Sequence, residues 1–131
     1  MTDKIFIHAL KTETIVGIFD WERQVKQTVV LDIEISADIR KAALTDSIDD
    51  TLNYKQVAKR VLVFIEESSF HLVETLAEHV AMLILEEFGV GWVRIALSKP
   101  GAIRSSRDVG VMLERGVAEL ETWRARAAAK T

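Results

Sequence analysis

From Thr28 to Ser36 the chain alternates with a period of two. Val29, Leu31, Ile33 and Ile35 fall on one side, and Thr28, Asp32, Glu34 and Ser36 on the other. Only a β-strand sends successive side chains to opposite faces, so this segment belongs to a sheet with one buried face. Lys4–Leu10 and Glu13–Phe19 are rich in β-branched residues and predict two short strands, joined as a hairpin by a tight connection around Lys11–Thr12. Trp92–Ser98 and Val109–Glu114 predict two more, with the apolar residues at odd positions: Val93, Ile95 and Leu97, then Val109, Val111 and Leu113.

Between these strand pairs the periodicity changes to that of a helix. After the polar stretch Thr45–Thr51, Asn53 stands as an N-cap with Gln56 three residues on, and Val57, Val61, Leu62 and Ile65 form an apolar stripe. A second helix is expected over Glu74–Phe88, with Leu76, Val80, Leu83 and Ile84 inward and Gly89 as its stop. The order predicts an α+β fold, one antiparallel sheet with both long helices on one face. The Ala-, Glu- and Arg-rich segment Val117–Lys130 reads as an appended helix. The other sheet face, carrying Thr28, Val30, Asp32, Glu34, Arg94, Ala96, Ser98, Gly110, Met112 and Glu114, is mixed and often polar, so it need not be a dry core. It either meets water directly or lines a wet cavity in a closed oligomer.

Length and composition narrow the functional classes. The 131 residues fit one domain, and a hydrophobic fraction of 49% supports a packed core. A net charge of -3 offers no basic excess for nucleic acid, despite the local pair Arg104 and Arg107. The absence of cysteine removes disulfides and thiolate chemistry and suits the cytoplasm. The longest apolar run, near Val80–Leu85, is far shorter than the ~20 residues of a membrane helix, and no signal-peptide core follows Met1. A soluble cytoplasmic protein, bound neither to membrane nor to nucleic acid, is expected.

Familiar catalytic signatures are missing. There is no phosphate loop, no Gly-x-Ser-x-Gly elbow, and no metal-ligand spacing among His8, His71 and His79, so no metal site is expected. Polar residues at the ends of elements remain. Lys99 ends an apolar strand before Pro100; such a lysine either reaches into solvent or, if buried, shuttles protons. Glu74 lies in the first turn of the second helix. It either complements the helix dipole or grips a flat heterocycle through two adjacent N–H donors. Tyr54, the single tyrosine, opens the first helix and either packs or stacks on a ring. Glu22 follows Trp21 in a loop and by itself reads as a surface charge.

Taken together, four segments carry a resemblance. Gly17-Ile-Phe-Asp-Trp-Glu22-Arg, Leu52-Asn-Tyr54, Phe70-His-Leu-Val-Glu74 and Leu97-Ser-Lys99-Pro-Gly-Ala102 are similar, in order and spacing, to the bacterial dihydroneopterin aldolases. The resemblance runs from about Ile5 to Gly116. It implies an aldolase-like domain over residues 1–116 and a helical extension over 117–131, to which no function is carried. It further implies the tunnelling fold: a four-stranded antiparallel sheet that closes with those of other copies into a barrel, commonly two stacked rings making an octamer. The polar sheet face would then line the tunnel. Tyr54 would be donated across a subunit interface to a pocket holding Glu22, Glu74 and Lys99.

The activity implied is retro-aldol cleavage of 7,8-dihydroneopterin in folate biosynthesis, with epimerisation at C2′ as a side activity. The substrate's own imine accepts the electron pair, so no cofactor, enzyme Schiff base or zinc is called for. By resemblance Lys99, Glu22 and Tyr54 are catalytic, and Glu22, Tyr54, Leu72, Val73 and Glu74 bind the pterin. Two alternatives stay open: a dihydroneopterin triphosphate epimerase of the same fold, and a non-catalytic pterin-binding or scaffolding module.

Overall fold

The computed structural model describes residues 3–130. Met1 and Thr2, which the sequence leads straight into the first strand, and Thr131, at the end of the expected extension, lie outside the described residues. Four strands form one antiparallel sheet in the order of the chain: β1 (Lys4–Thr14), β2 (Gln27–Ser36), β3 (Trp92–Pro100) and β4 (Asp108–Gly116). A short helix α1 (Arg40–Thr45) and the long helices α2 (Tyr54–Glu66) and α3 (Val73–Phe88) lie between β2 and β3, and α4 (Val117–Ala129) follows β4.

The first two expected strands are one. β1 runs without a turn through Lys11–Thr12, and the segment after Thr14 leaves the sheet. The register against β2 shifts between Ile7 and Leu10, so His8 and Ala9 bulge where a regular ladder would carry one residue. Ala9 takes a left-handed φ of 57°, and its amide donates to the Asp32 carboxylate at 2.7 Å. Inward residues are odd-numbered before the bulge (Ile5, Ile7) and even-numbered after it (Leu10, Thr12, Thr14). That change of parity mimics the end of one strand and the start of another.

The rest of the sheet follows the alternation. Leu31 pairs with Leu97, Ile33 with Ile95 and Ile35 with Val93, and all six are buried. Each such side chain contributes about 1.5–3 kcal/mol relative to exposure. On that face α2 packs against β1 and α3 against β3 and β4. Asn53 caps α2 by accepting from the Lys55 amide, and Val57, Val61 and Ile65 are its buried stripe. From Leu76 to Leu85, α3 is buried nearly all round, since the sheet, α2 and α4 enclose it. It stops at Gly89, whose φ of 64° suits glycine. The helices run antiparallel, since the later residue Phe64 of α2 meets His79 early in α3 while the earlier Arg60 pairs with Glu87 near the end of α3. No described helix is long and apolar enough to cross a membrane.

Among the described residues nothing packs as a layer on the opposite sheet face. Phe6 and Met112 are 62% and 70% exposed there, beside the Arg94–Glu34 ion pair.

Candidate active site

One end of the sheet brings together two of the candidate side chains, Lys99 and Glu22. Lys99 is the last inward position of β3, continuing the row Val93, Ile95, Leu97. It therefore points beneath the sheet rather than into solvent, and its side chain is only 14% exposed. Facing it is Glu22, on a single 3-10 turn (Asp20–Arg23) that the sequence reading takes for plain loop. The Lys99 ammonium donates to Glu22 Oε2 at 2.7 Å.

Two further donors and one glycine fix the carboxylate. Gln27, at the start of β2, donates from Nε2 to Glu22 Oε2 at 3.0 Å and to the Val16 carbonyl at 2.7 Å. The Phe19 amide donates to Oε1 at 3.2 Å, and Lys99 also reaches the Val16 carbonyl at 3.5 Å. Gly17, at φ +143°, lies so close to the carboxylate that any side chain there would overlap it. Glu22 is buried, which disfavours its charge, but the Lys99 and Gln27 hydrogen bonds win and hold the carboxyl down to about 2. Burying such a pair costs desolvation that only good geometry repays, and a carboxyl shifted this far marks a candidate functional site.

Arg23 joins this pair to the start of α3. Its guanidinium donates to the carbonyls of Gly17 and Phe70 at 3.0 Å and of Ser69 at 2.6 Å. The Gly17 amide also donates to Phe70. Immediately beyond lie Leu72, Val73 and Glu74, where the first-turn amides of α3 lack intrahelical acceptors. Leu72 and Glu74 are exposed, so this edge is open to a ligand. Arg23 and Gln27 are the residues that sequence reasoning missed. Both act through backbone carbonyls or through Glu22, and nothing in their local sequence marks that.

Tyr54 is not brought in. It opens α2, a helix about 20 Å long for its 13 residues, at the end of the helix pair opposite to Glu74, and is 55% exposed. Among the described residues its side chain makes no hydrogen bond to Glu22, Glu74 or Lys99.

A four-stranded antiparallel sheet backed by two long helices, with an ion pair buried at the sheet end beside a helix N-terminus, defines an α+β protein equipped for acid–base chemistry on a small molecule. The comparisons with known proteins narrow that class. The family described as FolB, dihydroneopterin aldolase, matches residues 5–114. Dihydroneopterin aldolase of Escherichia coli (strain K12) is 46% identical over 114 residues, covering 87% of this chain and 93% of that protein. The enzyme of that name from Haemophilus influenzae is 38% identical, covering 87% and 97%. The crystal structure of the E. coli aldolase in complex with neopterin superposes with a TM-score of 0.86 over 88% of this chain and 100% of that one. The chain belongs to the dihydroneopterin aldolase family.

Proposed function

We propose that the chain cleaves 7,8-dihydroneopterin between C1′ and C2′, yielding 6-hydroxymethyl-7,8-dihydropterin and glycolaldehyde for folate biosynthesis. The observation that carries this reading is the buried Lys99–Glu22 pair at 2.7 Å, tied through Arg23 to the lead of α3. Glu74 takes the pterin's paired N–H donors, with backbone groups of Leu72 and Val73 beside it. Glu22 holds the hydroxylated side chain and orients Lys99. Lys99, once its ammonium has passed a proton to solvent, takes up the 2′-hydroxyl proton through water as the C1′–C2′ bond breaks, and the electron pair passes into the C6=N5 imine. Glycolaldehyde leaves, and Tyr54, lying over the ring, helps protonate the enamine at C1′. The imine is the electron sink, so the chemistry asks for no cofactor. Return of glycolaldehyde to the other face gives C2′ epimerisation as a side activity.

Tyr54 reaches this site only from another copy. The distance along the helix pair supports that, as do the unpaired edges of β1 and β4 and the uncovered face bearing Phe6 and Met112. The assembly proposed is a ring of four copies whose sheets close into a barrel with the polar face inward, two rings stacking as an octamer. Residues 1–116 make the catalytic domain and 117–131 an added helix. The cytoplasm is the proposed location, consistent with a chain free of cysteine.

The test is incubation of purified protein, with chelator present, with 7,8-dihydroneopterin and separately with its triphosphate, with Lys99→Ala alongside. Cleavage of the free pterin that falls about 10²-fold or more in the variant is the expected result. Epimerised triphosphate without cleavage would make it the epimerase, and turnover of neither would leave a binding module.

A further inference from the structure

The helix α4 lies beyond the residues that the family match spans, 5–114. It is nevertheless docked. The Gly116 amide donates to Glu119 Oε1 at 2.8 Å, Leu120 is 5% exposed, and Trp123 is half-buried against α3. Trp123 meets the His79 ring edge-on, with centroids 4.8 Å apart and an interplanar angle of 88°. His79 in turn lies 4.6 Å from the ring of Phe70, and both rings lie 6.3 Å from Phe64.

These contacts lead to the back of the pterin edge. The His79 Nδ1–H donates to the carbonyl of Thr75 at 2.9 Å, one residue after Glu74. Phe70 stands two residues before Leu72, and its carbonyl accepts from both Gly17 and Arg23. His79 thus touches the lead of α3, the first turn of α3 and the added helix at once.

We propose that α4 positions the substrate-anchoring segment 70–74 through Trp123 and His79, which act as positioning residues for pterin binding. The physical basis is packing. With Trp123 removed, the His79 ring loses its outer wall, and the restraint on Phe70 and Thr75 weakens with it. Glu22 and Lys99 are held directly by Gln27 and Val16 and meet Phe70 only through the Gly17 amide and Arg23, so affinity should change far more than the proton-transfer step. This inference rests on the pterin-site reading of Glu74.

The experiment compares wild type, Trp123→Ala, Trp123→Phe and His79→Leu. It measures steady-state cleavage of 7,8-dihydroneopterin, neopterin binding by fluorescence, hydrogen–deuterium exchange and thermal melting. Trp123→Ala and His79→Leu are expected to raise KM and the neopterin Kd about three- to tenfold, the worth of one aromatic pair, with kcat within about twofold. Exchange at the amides of residues 70–76 should quicken, and Trp123→Phe should recover most of the loss. A lowered Tm with KM, Kd and exchange at 70–76 unchanged would overturn the inference while leaving the proposed function standing. If the wild type neither binds neopterin nor cleaves the pterin, the functional reading fails and the binding role of α4 falls with it; the exchange data then report only the packing.

Discussion

Gln27 and Lys99 donate to the same two oxygens. Gln27 Nε2 reaches the Val16 carbonyl at 2.7 Å and Glu22 Oε2 at 3.0 Å, and Lys99 Nζ reaches them at 3.5 and 2.7 Å. The amide therefore shares with the lysine the task of keeping Glu22 ionised and in place. Replacing Gln27 by Leu removes a hydrogen bond to a charged group, worth about 1.5–3 kcal/mol. A fall in kcat/KM of about tenfold or more is expected, with the acid limb of the pH–rate profile moved to higher pH. A Gln27→Leu enzyme with wild-type rate and profile would show that Lys99 alone suffices.

Acid stability should carry the mark of Glu22. Its carboxyl is held at about 2 against an ordinary value of 4.5, chiefly by the Lys99 hydrogen bond. A depressed carboxyl stabilises the fold fully above its unfolded value and loses that contribution as pH falls through the folded one. The window is therefore from about pH 4.5 down to about 2. Denaturant unfolding of wild type and Glu22→Gln should differ most at neutral pH, with the gap narrowing below about pH 4.5. A gap that widens on acidification would contradict the ion pair.

Gly17→Ala is expected to damage the site out of proportion to its size. The φ of +143° strains any other residue, and the new Cβ would overlap the Glu22 carboxylate. Either Glu22 leaves Lys99 or the backbone shifts, at a cost of about 1–3 kcal/mol. Cleavage rate should fall at least as far as in Glu22→Gln, and the melting temperature should drop as well. A fully active, unshifted Gly17→Ala protein would rule out the packed carboxylate.

The separation of Tyr54 from Lys99 permits a complementation test. Lys99→Ala and Tyr54→Ala should each be nearly inactive as purified. Unfolded together and refolded at equal amounts, they should recover activity at about a quarter of the sites, where an intact Lys99 meets an intact Tyr54 from another copy. No recovery in verified mixed oligomers would mean that each chain completes its own site.

Much of this molecule follows from local pattern. The alternation of Val29, Leu31, Ile33 and Ile35, the cap at Asn53, the stripe Val57–Val61–Ile65 and the stop at Gly89 are decided by residues within a turn or two, and the structure keeps each of them. By themselves they determine an antiparallel sheet with two long helices on one face. The bulge in β1 escapes such reading, because the Ala9 amide is satisfied by Asp32, a side chain 23 residues away. Its parity change then looks like a turn. Glu22 reads as a surface charge for the same reason. Its burial becomes tolerable only when β3 brings in Lys99 from 77 residues away and Gln27 closes the remaining side. Which end of the helix pair Tyr54 occupies is likewise set by the antiparallel packing of α2 on α3. Periodicity and capping are short-range and so are written in the chain; desolvation, charge pairing and the reach between sites depend on which distant segments meet, and only the tertiary structure decides that.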